Sequence, residues 1–172
     1  MIYEPEEDSY LLEKQVKKYA KKGMKVLDLG TGSCIQALAA KENGAEVLAA
    51  DINPEAVNLA KAKGIESIKS DLFSKVKGKY DLIILNPPYL PEEAYEDKAT
   101  KLFTTGGKQG HELIERFLKE AKKHLNKDGM ILLVFSTLTG NVENLFKKYD
   151  YEFKKLDSKK VFFEEIFVYE LK

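Results

Sequence analysis

Tyr80-Asp81-Leu82-Ile83-Ile84-Leu85-Asn86-Pro87-Pro88-Tyr89 is an apolar run that ends in a polar side chain, two prolines and an aromatic ring. The run reads as a buried parallel strand over residues 80–85. Each proline fixes its own φ and restricts the residue before it. The segment after the strand is therefore stiff, and Asn86 is held at a strand's carboxyl end. Open α/β sheets keep their ligands at that end. A rigid amide, bare carbonyls and an aromatic ring there suit a flat, hydrogen-bonding group that carries an N–H. A proline-rich turn that merely caps the strand is the alternative reading of the four residues alone.

Outward from this strand, helical and extended patterns alternate. A helix is predicted over residues 9–22, stopped by Gly23, followed by a strand over 24–29. A second helix covers 35–43 and stops at Gly44, before a strand over 45–50. Pro54 opens a third helix, where its missing N–H costs nothing, and Gly64 ends it. A short strand follows at 65–69. Beyond Tyr89, a helix is predicted over 109–125, a turn at Asn126-Lys127-Asp128-Gly129, a buried strand over 130–135 and a helix over 138–149. Strands over 151–156 and 161–169 close the chain. The alternation implies an α/β, doubly wound, Rossmann-like sheet of seven strands. The last two strands have only Asp157-Ser158-Lys159-Lys160 between them, so they form a C-terminal antiparallel hairpin.

With 172 residues the chain is expected to form a single domain over 1–172. Lysine plus arginine (28) balances aspartate plus glutamate (28), so no net field gathers polyanions. Arg116 is the only arginine, whereas arginine supplies most bidentate contacts to phosphate and guanine. Nucleic acid is thus an unlikely direct partner. No apolar run approaches the roughly 20 residues of a membrane span, and the acidic opening does not read as a signal or transit peptide. Cys34 is the only cysteine, so an internal disulfide and a cysteine-cluster metal site are excluded. No metal site is expected, and a cytoplasmic location fits. Cys34 reads as a small buried apolar residue.

Asp28-Leu29-Gly30-Thr31-Gly32 joins the first strand to the next helix. Its glycines allow a tight turn and let a ligand approach bare backbone. Ile35 stands where the dinucleotide fingerprint has its third glycine, which argues against a pyrophosphate. Asp28 repels phosphate and attracts a cation, a sulfonium or an ammonium. Asp51, at the end of the second strand, can accept both hydroxyls of a ribose. Asp71, after the third strand, can accept the exocyclic amine of an adenine. Taken alone, Asp51 and Asp71 could each be a helix cap. Together with Asp28, Gly30 and Gly32 they outline an adenosine with a cationic tail, for which S-adenosylmethionine is the candidate cofactor.

At this point the chain resembles a known family. A parallel sheet with one antiparallel strand near its end is the arrangement of class I methyltransferases. Asn86-Pro87-Pro88-Tyr89 is similar to the signature of amino-methyltransferases that act on the planar nitrogens of adenine, guanine or protein glutamine. Tyr3-Glu4-Pro5-Glu6-Glu7-Asp8-Ser9-Tyr10-Leu11-Leu12 resembles the Pro-x-Glu-Asp-Thr segment of HemK-type protein-glutamine methyltransferases of the archaeal and eukaryotic release-factor branch, with Ser9 replacing the threonine. Asp51-Ile52-Asn53-Pro54-Glu55-Ala56 and Gly106-Gly107-Lys108-Gln109-Gly110 resemble the same branch.

That resemblance implies cofactor-binding roles for Asp8, Ser9, Asp28, Gly30, Gly32, Asp51, Asp71 and Asn86, and catalytic roles for Asn86, Pro87 and Tyr89. Asn86 Oδ1 and the Pro87 carbonyl would accept the two N–H groups of the substrate amide, and Tyr89 would stack on its plane. The implied substrate is the glutamine of a Gly-Gly-Gln motif in a class I translation release factor. Bacterial members carry a helical domain ahead of the catalytic one, and here the motif begins almost at once. The resemblance therefore also implies a small zinc-binding activator subunit along the sheet edge near Ile65 and Ile68. An edge strand with apolar residues needs cover. Two other readings stay open: an amino-methyltransferase of adenine or guanine in RNA or DNA, and a non-catalytic methyltransferase-like binding subunit. His111 is expected to start a surface helix and His124 to lie on a solvated helix face. The long connection after Tyr89, with residues 104–110 in particular, is expected to act as a lid.

Overall fold

Alternating strand residues divide the interior into two layers. Leu27, Leu29, Ile83, Leu85, Ile131 and Leu133 pack on one face of a central sheet, and Val26, Leu82, Ile84, Leu132 and Val134 on the other. This period of two is what a sheet buried on both faces requires. The computed structural model describes residues 2, 4–89, 108 and 110–172. Its elements in chain order are α1 (Glu7–Tyr19), β1 (Lys25–Leu29), α2 (Ile35–Glu42), β2 (Glu46–Asp51), α3 (Pro54–Ala62), β3 (Glu66–Lys69), β4 (Tyr80–Leu85), α4 (Glu112–Ala121), β5 (Leu125–Ser136), α5 (Val142–Lys148), β6 (Phe153–Val161) and β7 (Glu164–Leu171).

The seven strands lie in the order β3-β2-β1-β4-β5-β7-β6. The first five in that order are parallel, and β7 runs antiparallel between β5 and β6. Ile114, Phe117 and Leu118 of α4 and Val142, Leu145 and Phe146 of α5 cover the first face. Leu11, Leu12 and Val16 of α1 and Ala39 and Ala40 of α2 cover the second. A smaller cluster of Cys34, Ala37, Ala49, Ala60 and Ile65 packs α2 and α3 against β2. The chain thus has the doubly wound α/β sheet with a C-terminal antiparallel hairpin that its pattern predicts.

Three local features differ from expectation. Asp157-Ser158-Lys159-Lys160 is not the hairpin link. These residues belong to β6, and the turn is Phe162-Phe163, flanked by the Val161–Glu164 pair. The Asp157 carboxylate accepts from Lys14 Nζ at 2.7 Å and Gln15 Nε2 at 2.8 Å, so α1 holds this polar stretch in an edge strand, where its lysines discourage edge-to-edge pairing. Residues 126–129, expected as a turn, form an irregularity within β5, where the register against β4 shifts between Tyr80 and Leu82. A Cβ at Gly129 would meet the Tyr80 carbonyl oxygen at 2.8 Å, so only glycine fits there. The helix predicted over 138–149 begins only at Val142, because Gly140 at φ +85° breaks it and Asn141 then caps it.

Candidate active site

Leu29, Asp51, Lys69 and Leu85 end four parallel strands at one edge of the sheet. The residues just beyond them therefore converge. They line a cavity of about 510 Å³, the size of a small-molecule site. Every candidate residue named from the sequence lies on its wall: Asp8, Ser9, Asp28, Gly30, Gly32, Asp51, Asp71, Asn86, Pro87 and Tyr89.

The end that follows β1 and β2 is braced by hydrogen bonds. Gly30 and Gly32 take positive φ, and the space where a Cβ of Gly30 would point is open. Thr31 Oγ1 donates to Asp28 Oδ2 at 2.6 Å. Gly32 N donates to Asp51 Oδ2 at 2.9 Å, and Asn53 N donates to Asp51 Oδ1 at 2.8 Å. Asp51 thus ties the glycine loop to the start of α3, and each of its oxygens retains a lone pair. Asp28 is buried, and burial pushes its carboxyl up to about 7. The Thr31 hydroxyl pulls the other way, and nearby Asp51 adds to the rise. Cys34 is fully buried, as expected, but it sits in the left-handed region at φ 70°. That conformation is ordinarily left to glycine.

The end that follows β4 is arranged differently. Asn86 Nδ2 donates to Asp8 Oδ2 at 3.1 Å and reaches Ser9 Oγ at 3.4 Å. A carboxylate only accepts, so the amide must turn its NH₂ toward Asp8 and its oxygen away. Asn86 Oδ1 is buried and has no hydrogen-bond partner among the described residues. Asp8 Oδ1 in turn accepts from the Ser9 amide at 2.6 Å, which closes a small network around Asn86. Asp8 and Ser9, named as cofactor-binding candidates, thus also orient Asn86. Tyr89 packs against both core layers, which restrains its ring.

Three wall residues escape the motifs. Gln36 Nε2 donates to the Ser9 carbonyl at 2.8 Å, while its buried Oε1 has no partner among the described residues. A glutamine within the apolar run Ile35-Gln36-Ala37-Leu38 was the signal for it. Arg116 Nη2 donates to Asp71 Oδ2 at 2.8 Å across the rim. Its being the only arginine was the signal there. Glu164, at the start of β7, also reaches the wall, and its buried Oε2 is without a partner among the described residues. Nothing in the local sequence marks it, because only the hairpin brings it to this edge.

His111 stands at the N-cap position of α4 without a side-chain capping bond and does not line the cavity. His124 is half-buried: its ring stacks on Phe73 at 4.5 Å, and its Nδ1 lies 3.1 Å from the Gly78 carbonyl in an exposed contact. The residues expected to form the lid lie outside the described residues except for Lys108 and Gly110. Among the described residues no helix is long and apolar enough to cross a membrane.

Comparison with known proteins adds to this geometry. The family described as Methyltransferase small domain matches residues 5–162. A Methanocaldococcus jannaschii protein named "Putative protein N5-glutamine methyltransferase" is 39% identical over 178 residues, which cover 97% of this chain and 89% of that protein. The release factor glutamine methyltransferase of Streptococcus pneumoniae is 34% identical over 144 residues, 73% of this chain and 51% of the relative. The chain therefore spans about half the length of that bacterial relative. Among solved structures, the E. cuniculi Mtq2-Trm112 complex, described as responsible for methylation of the eRF1 translation termination factor, has the same fold. It superposes with a TM-score of 0.81 at 23% identity, covering 99% of this chain and 98% of that one.

Proposed function

The chain belongs to the methyltransferase small-domain family, and from that premise we propose that it transfers a methyl group from S-adenosylmethionine to the side-chain amide nitrogen of a protein glutamine, that of a Gly-Gly-Gln motif in a class I translation release factor. The observation that carries this reading is the buried, unpartnered Asn86 Oδ1, whose amide is fixed by Asp8 and Ser9. A buried acceptor without a partner is costly unless a ligand supplies the donor. A planar amide N–H is such a donor.

The cavity wall fits the cofactor. The open, positive-φ glycines admit a ligand against bare backbone. Asp51 retains acceptor capacity for a ribose, and Asp28 and Gln36 line the same cavity and can offer acceptors to a cationic tail. When bound, the cofactor supplies a methyl carbon made electrophilic by its sulfonium. The chain's own residues then position the nucleophile. An amide nitrogen is weak because its lone pair is delocalised. Asn86 Oδ1 and the Pro87 carbonyl accept its two N–H bonds, aim the lone pair along the line of displacement and favour the positive charge that develops on nitrogen. Tyr89 restrains the amide plane. Positioning of this kind supplies up to about 7–11 kcal/mol, so no strong base is needed, and the surplus proton leaves to solvent after transfer. The outer edge of β3, which pairs only with β2 among the described residues, is where an activator subunit would add.

The test is to incubate the protein with a labelled methyl donor and a release factor, with and without an activator, and to map the product by mass spectrometry. One methyl on the Gly-Gly-Gln glutamine is expected, and none when that residue is replaced by asparagine or alanine. Faster methylation of RNA or DNA than of the release factor would overturn the reading.

A further inference from the structure

The hairpin between β6 and β7 turns in two residues, Phe162 and Phe163, and both rings are fully exposed. Tight two-residue turns are usually made by glycine, asparagine or aspartate. Here Phe162 takes φ 25° in such a turn, so the local backbone does not ask for an aromatic. Nor does the core, which neither ring reaches. The exposed positions of the flanking edge strand are polar, with Lys154, Lys155, Lys159 and Lys160 among them, while Phe153, Leu156 and Val161 pack against the core. The apolar surface is thus confined to the tip. Leu138, also exposed, lies on the neighbouring segment, which Glu165 N joins by a hydrogen bond to Thr137 Oγ1 at 3.1 Å.

The position of the tip decides what it is for. β5 ends at Ser136, which pairs with Ile166 near the start of β7. The tip therefore projects from the same sheet edge as Asn86. Glu164, next to Phe163, lies on the cavity wall with its buried Oε2 unpartnered. Glu164 thus joins the aromatic pair to the cavity wall through the chain itself. The β3 edge, by contrast, is at the far side of the sheet.

We propose that this tip is the docking surface for the protein substrate. Phe162 and Phe163 receive apolar side chains of the polypeptide that flanks the target residue, and Glu164 Oε2 accepts a hydrogen bond from that polypeptide as it enters the cavity. The inference rests on the protein-glutamine reading above and names how that substrate is held. Exposed aromatics next to a buried polar acceptor have the make-up of a binding hot spot.

The test uses the full chain and an intact release factor. In Phe162→Ser/Phe163→Ser the KM for the factor should rise about tenfold or more. The turnover number, the thermal midpoint and the dissociation constant for S-adenosylmethionine should stay near their wild-type values. Glu164→Gln should raise the KM by a smaller factor. Benzoylphenylalanine at position 163 should photo-cross-link to the release factor. An unchanged KM in the double variant, or cross-links only to an activator subunit or a second copy of this chain, would overturn the docking surface and leave the glutamine reading intact. A wild-type protein that leaves the release factor unmethylated would remove both.

Discussion

The two ends of the cavity are built on opposite plans. After β1 and β2 the acids already have partners: Asp28 has Thr31, and Asp51 has the Gly32 and Asn53 amides. After β4, and across from it at the hairpin, acceptors are buried without partners, Asn86 Oδ1 and Glu164 Oε2. The acids of the first end are braced in advance, with Gln36 Oε1 the one wall acceptor there left without a partner among the described residues, so a cofactor adds mainly to bonds that hold without it. The second end keeps acceptors in reserve for the substrate. Binding energy spent at the first end should show as affinity for the cofactor, and at the second as rate.

The largest effect should come from exchanging the two losses. Asn86→Ala should lower methyl incorporation by about a hundred- to a thousandfold, the scale of removing one preorganised polar group from a reaction centre. Its cofactor dissociation constant, measured by calorimetry, should stay within a few fold. Asp51→Ala should do the reverse and weaken cofactor binding by roughly ten- to a hundredfold, since a hydrogen bond to a charged group contributes about 1.5–3 kcal/mol. If both variants lose cofactor affinity equally, the division between the two ends does not hold.

Most of the braced end was legible in the sequence, because its parts are local. Asp28, Gly30 and Gly32 lie within five residues, and Asp51 directly ends a strand. The stiff Asn86-Pro87-Pro88-Tyr89 stretch was legible for the same reason. What surrounds Asn86 was not. Its partner Asp8 is 78 residues away in sequence, and only the packing of α1 over the sheet brings the two together. Glu164 reaches the wall only because the hairpin turns at Phe162-Phe163. Asp157 and the lysines after it have turn-like composition, yet Lys14 and Gln15 hold Asp157 in the strand. Turn composition and edge-strand composition look alike when the contact that separates them is long-range.

A medium effect should appear in the pH dependence of cofactor binding. Burial holds the Asp28 carboxyl near 7, and a cationic tail favours its ionised form. Affinity should therefore rise with pH, by about tenfold between pH 6 and 8, and a proton should be released on binding near pH 6. Calorimetry in buffers of different ionisation enthalpy reads both. Asp28→Asn should bind weakly at every pH and flatten the curve. The stability of the free protein should move the other way. The folded value lies above the ordinary 3.8, so the native state holds more protons than the unfolded chain between 3.8 and about 7. Stability from this group falls as pH rises through that window.

The smallest effect concerns the rim, where the braced plan is weakest. Asp71 is proposed to receive the adenine amine, yet Oδ2 already accepts from Arg116 Nη2, and both side chains are about half exposed. Exposed ion pairs contribute about 0–1 kcal/mol. Arg116 should therefore orient the carboxylate without contributing much affinity, leaving Oδ1 for the amine. Arg116→Ala should change the cofactor dissociation constant by no more than about threefold, and added salt, which screens such pairs, should shrink the difference. Asp71→Ala should cost more than Arg116→Ala, because it removes the acceptor and not its support. The comparison can be sharpened with a cofactor analogue that lacks the exocyclic amine. If Asp71 is the acceptor, Asp71→Ala and wild type should bind that analogue almost equally, while Arg116→Ala follows wild type. If Arg116→Ala instead loses affinity for the analogue as strongly as for the natural cofactor, the guanidinium contacts the nucleoside directly, and the rim belongs to the end that keeps groups in reserve.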